Sequence, residues 1–151
     1  MTGDSLAAAV AGVRRRPQLL DMLAGVYARL EAELAGRPAC LRCGRCCDFA
    51  AFGHRLYVTA LELALLARHP WPAGSGEAAL AAGRCPYQLN GQCSAHERRT
   101  LGCRVFFCQG RPADEQALYE RYHAELRALH DSSGVPYSYT ELTAGLAKSE
   151  I

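Results

Sequence analysis

The sequence predicts a mostly α fold, a small helical domain with one short β-hairpin and irregular cysteine-rich loops. Three observations point there. Apolar residues recur at three- and four-residue spacing along two long stretches, 19–34 and 118–129. A single Asn90-Gly91 pair stands between two short runs with strand character, and this dipeptide is the one most favourable for a two-residue hairpin. All eight cysteines of the 151-residue chain fall between Cys40 and Cys108. At 16.4 kDa and 50% hydrophobic residues the chain can bury one core, so a single domain over 1–151 is expected. Its cysteine-bearing centre spans 37–111, with helices at 4–36 before it and at 112–151 after it.

The elements follow in order. Asp4 can cap a short helix through about Arg15, and Pro17 suits the first position of a second, where its missing N–H costs nothing. Leu19, Leu23, Val26, Leu30 and Leu34 give that second helix one apolar stripe, and Gly36 with Pro38 stops it. Tyr57 and Val58 precede Thr59-Ala-Leu-Glu62, a capping box that predicts a helix to about Arg68. Pro70-Trp71-Pro72 forces extended backbone, and 73–83 is a connector with room for one helical turn. Residues 84–89 and 92–94 flank Asn90-Gly91 as the hairpin. Ser94-Ala-His-Glu97 is a second capping-box pattern, predicting a short helix that ends near Gly102, with 103–108 extended or turn-like. Pro112 opens the last long helix, with Leu118, Tyr122, Leu126 and Leu129 on one side, ending before Gly134; a weaker helix follows Thr140.

Charge follows the cysteines. Residues 1–36 carry four arginines against four acids, 37–111 carry ten arginines against four acids, and 112–151 carry three bases against seven acids. The basic surplus in the middle fits either a patch for nucleic-acid phosphates or compensation for thiolate-bound metal, since two tetrathiolate sites would carry roughly −2 apiece. The opening residues lack the order of a secretory signal: Asp4 comes first, the apolar run is short, and Arg14, Arg15 and Arg16 follow it. No stretch approaches the ~20 apolar residues that span a bilayer. A cytoplasmic location is therefore expected. In that reducing compartment eight cysteines read as metal ligands, ahead of a disulfide framework or plain buried thiols.

Cys40-Leu-Arg-Cys43-Gly-Arg-Cys46-Cys47 has the spacing CxxCxxCC. Intervals of three bring thiolates to one centre, as in zinc knuckles and in the ferredoxin run of cluster ligands. On a helix the four sulfurs would fall within an arc of roughly 120°. The adjacent pair Cys46-Cys47 serves two metal atoms more easily than one. Cys85 and Cys93 belong to opposite arms of the hairpin, and Cys103 and Cys108 follow. The eight fill two four-coordinate sites or one polynuclear cluster, and spacing alone does not choose between zinc and an iron–sulfur cluster such as a four-iron cubane.

The order CxxCxxCC, Cys85-Pro86-Tyr87, Asn90-Gly-x-Cys93, then Arg99-x3-Cys103-Arg104-x-Phe106-x-Cys108 resembles the YkgJ-like cysteine-cluster family, described as a zinc- or iron-chelating domain. The resemblance covers just under half the chain. One departure is Thr100, where the family commonly has proline. The resemblance implies a metal site of Cys40, Cys43, Cys46, Cys47, Cys85, Cys93, Cys103 and Cys108.

Arg99 and Arg104 are expected beside the sulfur ligands, stabilising their charge through hydrogen bonds. His96 is either a ligand or a residue of the short helix. His54 and His69 read as ordinary loop and helix-end positions, and His123 and His130 as solvated. Phe106 and Phe107 are expected to cover the site, and Tyr137 and Tyr139 to pack.

Three functions stay open. The first is a metal-binding protein holding an iron–sulfur cluster, preferred, or zinc, with a redox or sensing role. The second is a metal-stapled module presenting arginines to nucleic acid or an acidic protein partner. The third is a cluster-dependent modifying enzyme. No catalytic residue and no membrane partner is expected.

Overall fold

A computed structural model describes residues 3–37, 47–53, 55–72, 76–106 and 112–149. Cys40, Cys43, Cys46, Cys108, His54 and Phe107 lie outside the described residues. The helical frame is built from three long helices around a short buried one. Helix α1 (Gly3–Arg14) starts one residue before the expected cap. Pro17 opens α2 (Pro17–Leu34) at its first position, as its fixed φ allows. Leu19, Leu23, Val26 and Leu30 all point into the core with Tyr27.

Helix α4 (Ala60–Leu66) follows the short α3 (Phe49–Phe52). The Thr59 hydroxyl accepts from the Glu62 backbone N–H at 3.3 Å, and Glu62 Oε1 accepts from the Thr59 N–H at 3.2 Å. Both partners of this capping box are buried. Six of the seven residues of α4 are buried, as expected of a helix enclosed on every side; α1 and α2 pack on it. It ends at Leu66, two residues before the expected Arg68. A third long helix, α7 (Pro112–Ser133), packs on α2 and stops at Gly134, whose φ is +76°.

Two very short sheets join these helices. Strand β1 (Tyr57–Val58) runs antiparallel to β4 (Thr140–Glu141), with Val58 opposite Thr140. The Glu141 carboxylate then caps α8 (Leu142–Lys148) by accepting from the N–H groups of Thr143 and Ala144. The helix after Thr140 was expected and the strand pair was not, because two residues show no period. Strands β2 (Gln88–Leu89) and β3 (Gln92–Cys93) form the hairpin. Helix α5 (Gly76–Ala81) occupies the connector in which one helical turn is expected.

The fold class is mostly α, as the sequence predicts. Two histidines depart from expectation. His130 is buried at 1% exposure, with Nδ1 at 3.1 Å from the Val135 carbonyl, and His123 is half-buried, its Nε2 at 2.8 Å from the Tyr137 hydroxyl. The chain turns back at Gly134 and lays 135–139 over that face of α7, so a surface that reads as solvated becomes interior. Burial pushes both imidazoles below their usual range. Tyr137 and Tyr139 pack there, as expected, against His123. Among the described residues no helix is long and apolar enough to cross a membrane.

Candidate metal centre

Four described cysteines come from three separate segments and meet at one side of the frame. The first contact is backbone to backbone. The Cys85 N–H donates to the Cys47 carbonyl at 2.9 Å, Asp48 bridges to Arg84, and the Ala50 N–H donates to the Gly83 carbonyl at 3.2 Å. Gly83 makes this approach possible: its φ is +73°, and a Cβ there would stand 2.8 Å from the Ala50 Cβ. Glycine alone meets both demands.

The hairpin carries the next pair. Asn90 and Gly91 have φ of 52° and 77°, the two positive values that a type I′ turn requires. Gln88 therefore stands opposite Cys93, while its N–H donates to the Cys85 carbonyl. Ser94 closes the hairpin, donating to the Tyr87 carbonyl from its N–H at 2.8 Å and its hydroxyl at 2.6 Å. That use overturns the second capping box. The turn over His96–Arg98 is a 3₁₀ helix with Ala95 at its N-cap and no side-chain cap.

The cap belongs instead to Thr100. Its Oγ1 accepts from the Cys103 N–H at 3.3 Å and starts α6 (Leu101–Val105), so Cys103 is helical where an extended segment was expected. The same hydroxyl donates to Cys103 Sγ at 3.1 Å. Sequence reasoning noted Thr100 only as a departure from proline; a threonine three residues before Cys103 is also an N-cap signature. Burial pushes the Cys103 thiol up to about 12, and the neighbouring Cys85 and Cys93 thiols push the same way, while the Thr100 hydrogen bond opposes them. The sulfurs of Cys85 and Cys93 are thus each within electrostatic reach of Cys103.

Cys47, Cys85, Cys93 and Cys103 are not joined in disulfides, and all lie in or against the hydrophobic core. Among the described residues no three Cys, His, Asp or Glu side chains stand close enough to hold one ion. The donor chemistry nonetheless fits a metal. Thiolates are the ligands zinc and iron–sulfur clusters take, and a hydroxyl donating to a ligand sulfur is the usual outer support. The remaining candidate ligands Cys40, Cys43, Cys46 and Cys108 lie outside the described residues.

Among the described residues the two arginines are held by backbone carbonyls and by Glu31. Arg99 donates to the carbonyls of His96 at 2.9 Å and Cys103 at 3.4 Å. Arg104 donates to the carbonyls of Arg99 and Glu97, both at 2.8 Å, pairs with Glu31 at 2.9 Å, and stacks on the Tyr27 ring at 4.2 Å. Neither makes a contact with a described sulfur. They fix the backbone that carries Cys103. Phe106 likewise packs on Tyr119, ring centroids 5.2 Å apart. His96 is half-buried in its 3₁₀ turn.

Glu62 links this face to the frame. Its Oε2 accepts from the Leu101 N–H at 2.6 Å and the Tyr27 hydroxyl at 3.1 Å, while Oε1 serves Thr59. Burial pushes the carboxyl up, and those donated bonds oppose the shift. The capping box found Glu62 in the sequence; its reach to α6, 39 residues away, left no local signal. No family model, curated protein or solved structure matches the chain.

Proposed function

We propose that this chain is a metal-binding protein whose eight thiolates hold an iron–sulfur cluster, with zinc as the alternative occupant. One observation carries the reading: Cys47, Cys85, Cys93 and Cys103, from segments 56 residues apart in sequence at the extremes, lie in or against one apolar core without being joined in disulfides. The CxxCxxCC order and its resemblance to the YkgJ-like cysteine-cluster family point the same way. A bound iron–sulfur cluster would supply one-electron transfer or oxidant sensing, with a potential set by hydrogen bonds and exposure; the Thr100 hydroxyl is the described group placed to tune it. Zinc held by sulfur alone would be structural. The reading needs thiols kept reduced, which the cytoplasm supplies.

The arginine-presenting module has less support. Arg99 and Arg104 have side chains only 15% and 7% exposed and are committed to carbonyls and Glu31, so they have little left for phosphates.

Purification without oxygen, followed by metal and sulfide analysis and a visible spectrum, tests the proposal. Iron and sulfide with broad visible absorption support the iron–sulfur form. A colourless protein with two zinc ions ends that form and supports the zinc form. Metal-free protein with its cysteines in disulfides ends both.

A further inference from the structure

A second site lies where the C-terminal ends of α1, α4 and α8 meet the segment 69–71. A cavity of about 570 Å³ opens there, lined among others by Arg14, Arg68, His69, Trp71, Tyr87 and Ser149. That volume is in the range of small-molecule sites. A neighbouring cavity of about 400 Å³ shares Arg14 and Arg68 with it, so both guanidiniums stand between two open spaces. Among the described lining residues none is acidic.

The backbone carbonyls of this corner are already served. One amine of Arg14 donates to the Ala67 carbonyl at 2.9 Å, and the Tyr87 hydroxyl lies 3.1 Å and 2.9 Å from the carbonyls of Leu66 and His69. The helix ends therefore do not consume the charge of Arg68, which is exposed and has no ion pair among the described residues. Ser149 is 2% exposed and its hydroxyl has no hydrogen-bond partner among the described residues, although it lines the cavity. A buried hydroxyl without a partner costs free energy that a ligand would recover. The flat wall is preformed: Trp71 lies so close over Gly76 that a Cβ there would fall inside its ring, with the nearest ring carbon at 2.1 Å.

We propose that this cavity binds a small organic oxyanion, with its phosphate or carboxylate group on Arg68 and Arg14 and its flat apolar body against Trp71. Ser149 supplies the neutral hydrogen bond that orients it. The pairing follows from geometry and charge: two arginines recognise oxyanions through forked donors, and an indole face accepts a ring.

Trp71 is the only tryptophan in the chain, so its fluorescence reports the site, and titration calorimetry gives an independent readout. The 151-residue protein as purified is titrated with phenyl phosphate, benzoate, inorganic phosphate and phenol at constant ionic strength. Saturable binding of phenyl phosphate or benzoate, tighter than inorganic phosphate and phenol, supports the proposal, and the better of the two identifies the oxyanion. Arg68→Gln should weaken that binding by about tenfold, the usual effect of losing a charge-assisted hydrogen bond, with unchanged far-UV circular dichroism because Arg68 is exposed. Ser149→Ala should weaken it less. Absence of saturation by either aromatic anion, equal binding of phenol, or an Arg68→Gln protein that binds as well as the parent overturns the proposal.

Discussion

Along α1, α2, α4 and α7 the chain is held by apolar side chains that recur with helical period, and Leu23, Leu30, Leu61 and Leu126 are fully buried among them. Across 47–53 and 83–105 no helix exceeds five residues and no strand exceeds two. Elements that short are marginal by propagation alone. They are held by specific polar contacts: Cys85 to Cys47, Ser94 to Tyr87, Thr100 to Cys103, and Arg104 to two carbonyls. The frame can therefore stand on burial, whereas the cysteine face needs its hydrogen bonds and, on the proposal made above, its metal. Perturbations of the two should separate.

The largest effect belongs to the frame. Leu30→Ala empties a site with 0% exposure, and lost transfer energy plus the residual cavity should cost about 3–5 kcal/mol. At roughly 2–4 °C per kcal/mol for a chain of this size, thermal melting should fall by about 10 °C. Metal bound per folded molecule should not change. A protein that melts normally but loses its metal would reverse the assignment of the two regions.

Glu62→Gln comes next, because that carboxylate is where frame and cysteine face touch. The amide that replaces one oxygen cannot accept, so at least one of the Leu101, Thr59 or Tyr27 donors is left buried and unpaired. The loss should be about 2 kcal/mol, near the cost of one such group. It does not reach the sum over all donors, because removing the buried charge also removes its desolvation penalty. Hydrogen exchange at the Leu101 amide should accelerate more than exchange in α7. Uniform acceleration would show that Glu62 serves the core alone.

The two regions were also unequally legible. Helical period, Pro17, the Thr59 to Glu62 box and Asn90-Gly91 are local signals, and the structure places α2, α4, α7 and the hairpin where they predict. Most of the misses are non-local. Whether His130 meets water depends on a segment that returns after Gly134, and Ser94 serves Tyr87 because the hairpin brings that carbonyl within reach before a helix can use the cap. The strand pair of Tyr57 with Glu141 joins residues 84 apart in number, too few per strand to show alternation. Four of the eight candidate ligands lie among the described residues, and the contact from Thr100 to Cys103 was written in the spacing but hidden by attention to charge.

Thr100→Val removes a cap and a sulfur contact with little change in volume. The cap alone should cost about 1 kcal/mol, and metal affinity should fall about tenfold, as outer-shell losses do. Alkali gives a further readout. Because Cys103 in the metal-free fold titrates near 12, above the usual thiol value, the folded state keeps a proton that the unfolded chain releases. Its contribution is full at neutral pH and is lost as pH rises from about 9 towards 12. Metal-free protein should therefore lose melting temperature over that window, while loaded protein, already deprotonated at sulfur, should not. Parallel profiles would exclude Cys103 as a ligand.

The smallest contrast uses two arginines of equal charge. Arg29 pairs with Glu125 at 2.9 Å on the frame, with side chains 61% and 39% exposed, and such pairs contribute about 0–0.5 kcal/mol and fade with salt. Arg104 makes the same length of bond to Glu31 but also binds two carbonyls and an aromatic face from a nearly buried position. A lysine can satisfy only part of that set. Arg104→Lys should cost about 1–2 kcal/mol and persist in salt, whereas Arg29→Ala should be almost silent. Equal, salt-sensitive losses in chemical denaturation would mean that Arg104 acts by charge alone, and the backbone under Cys103 would then need another support.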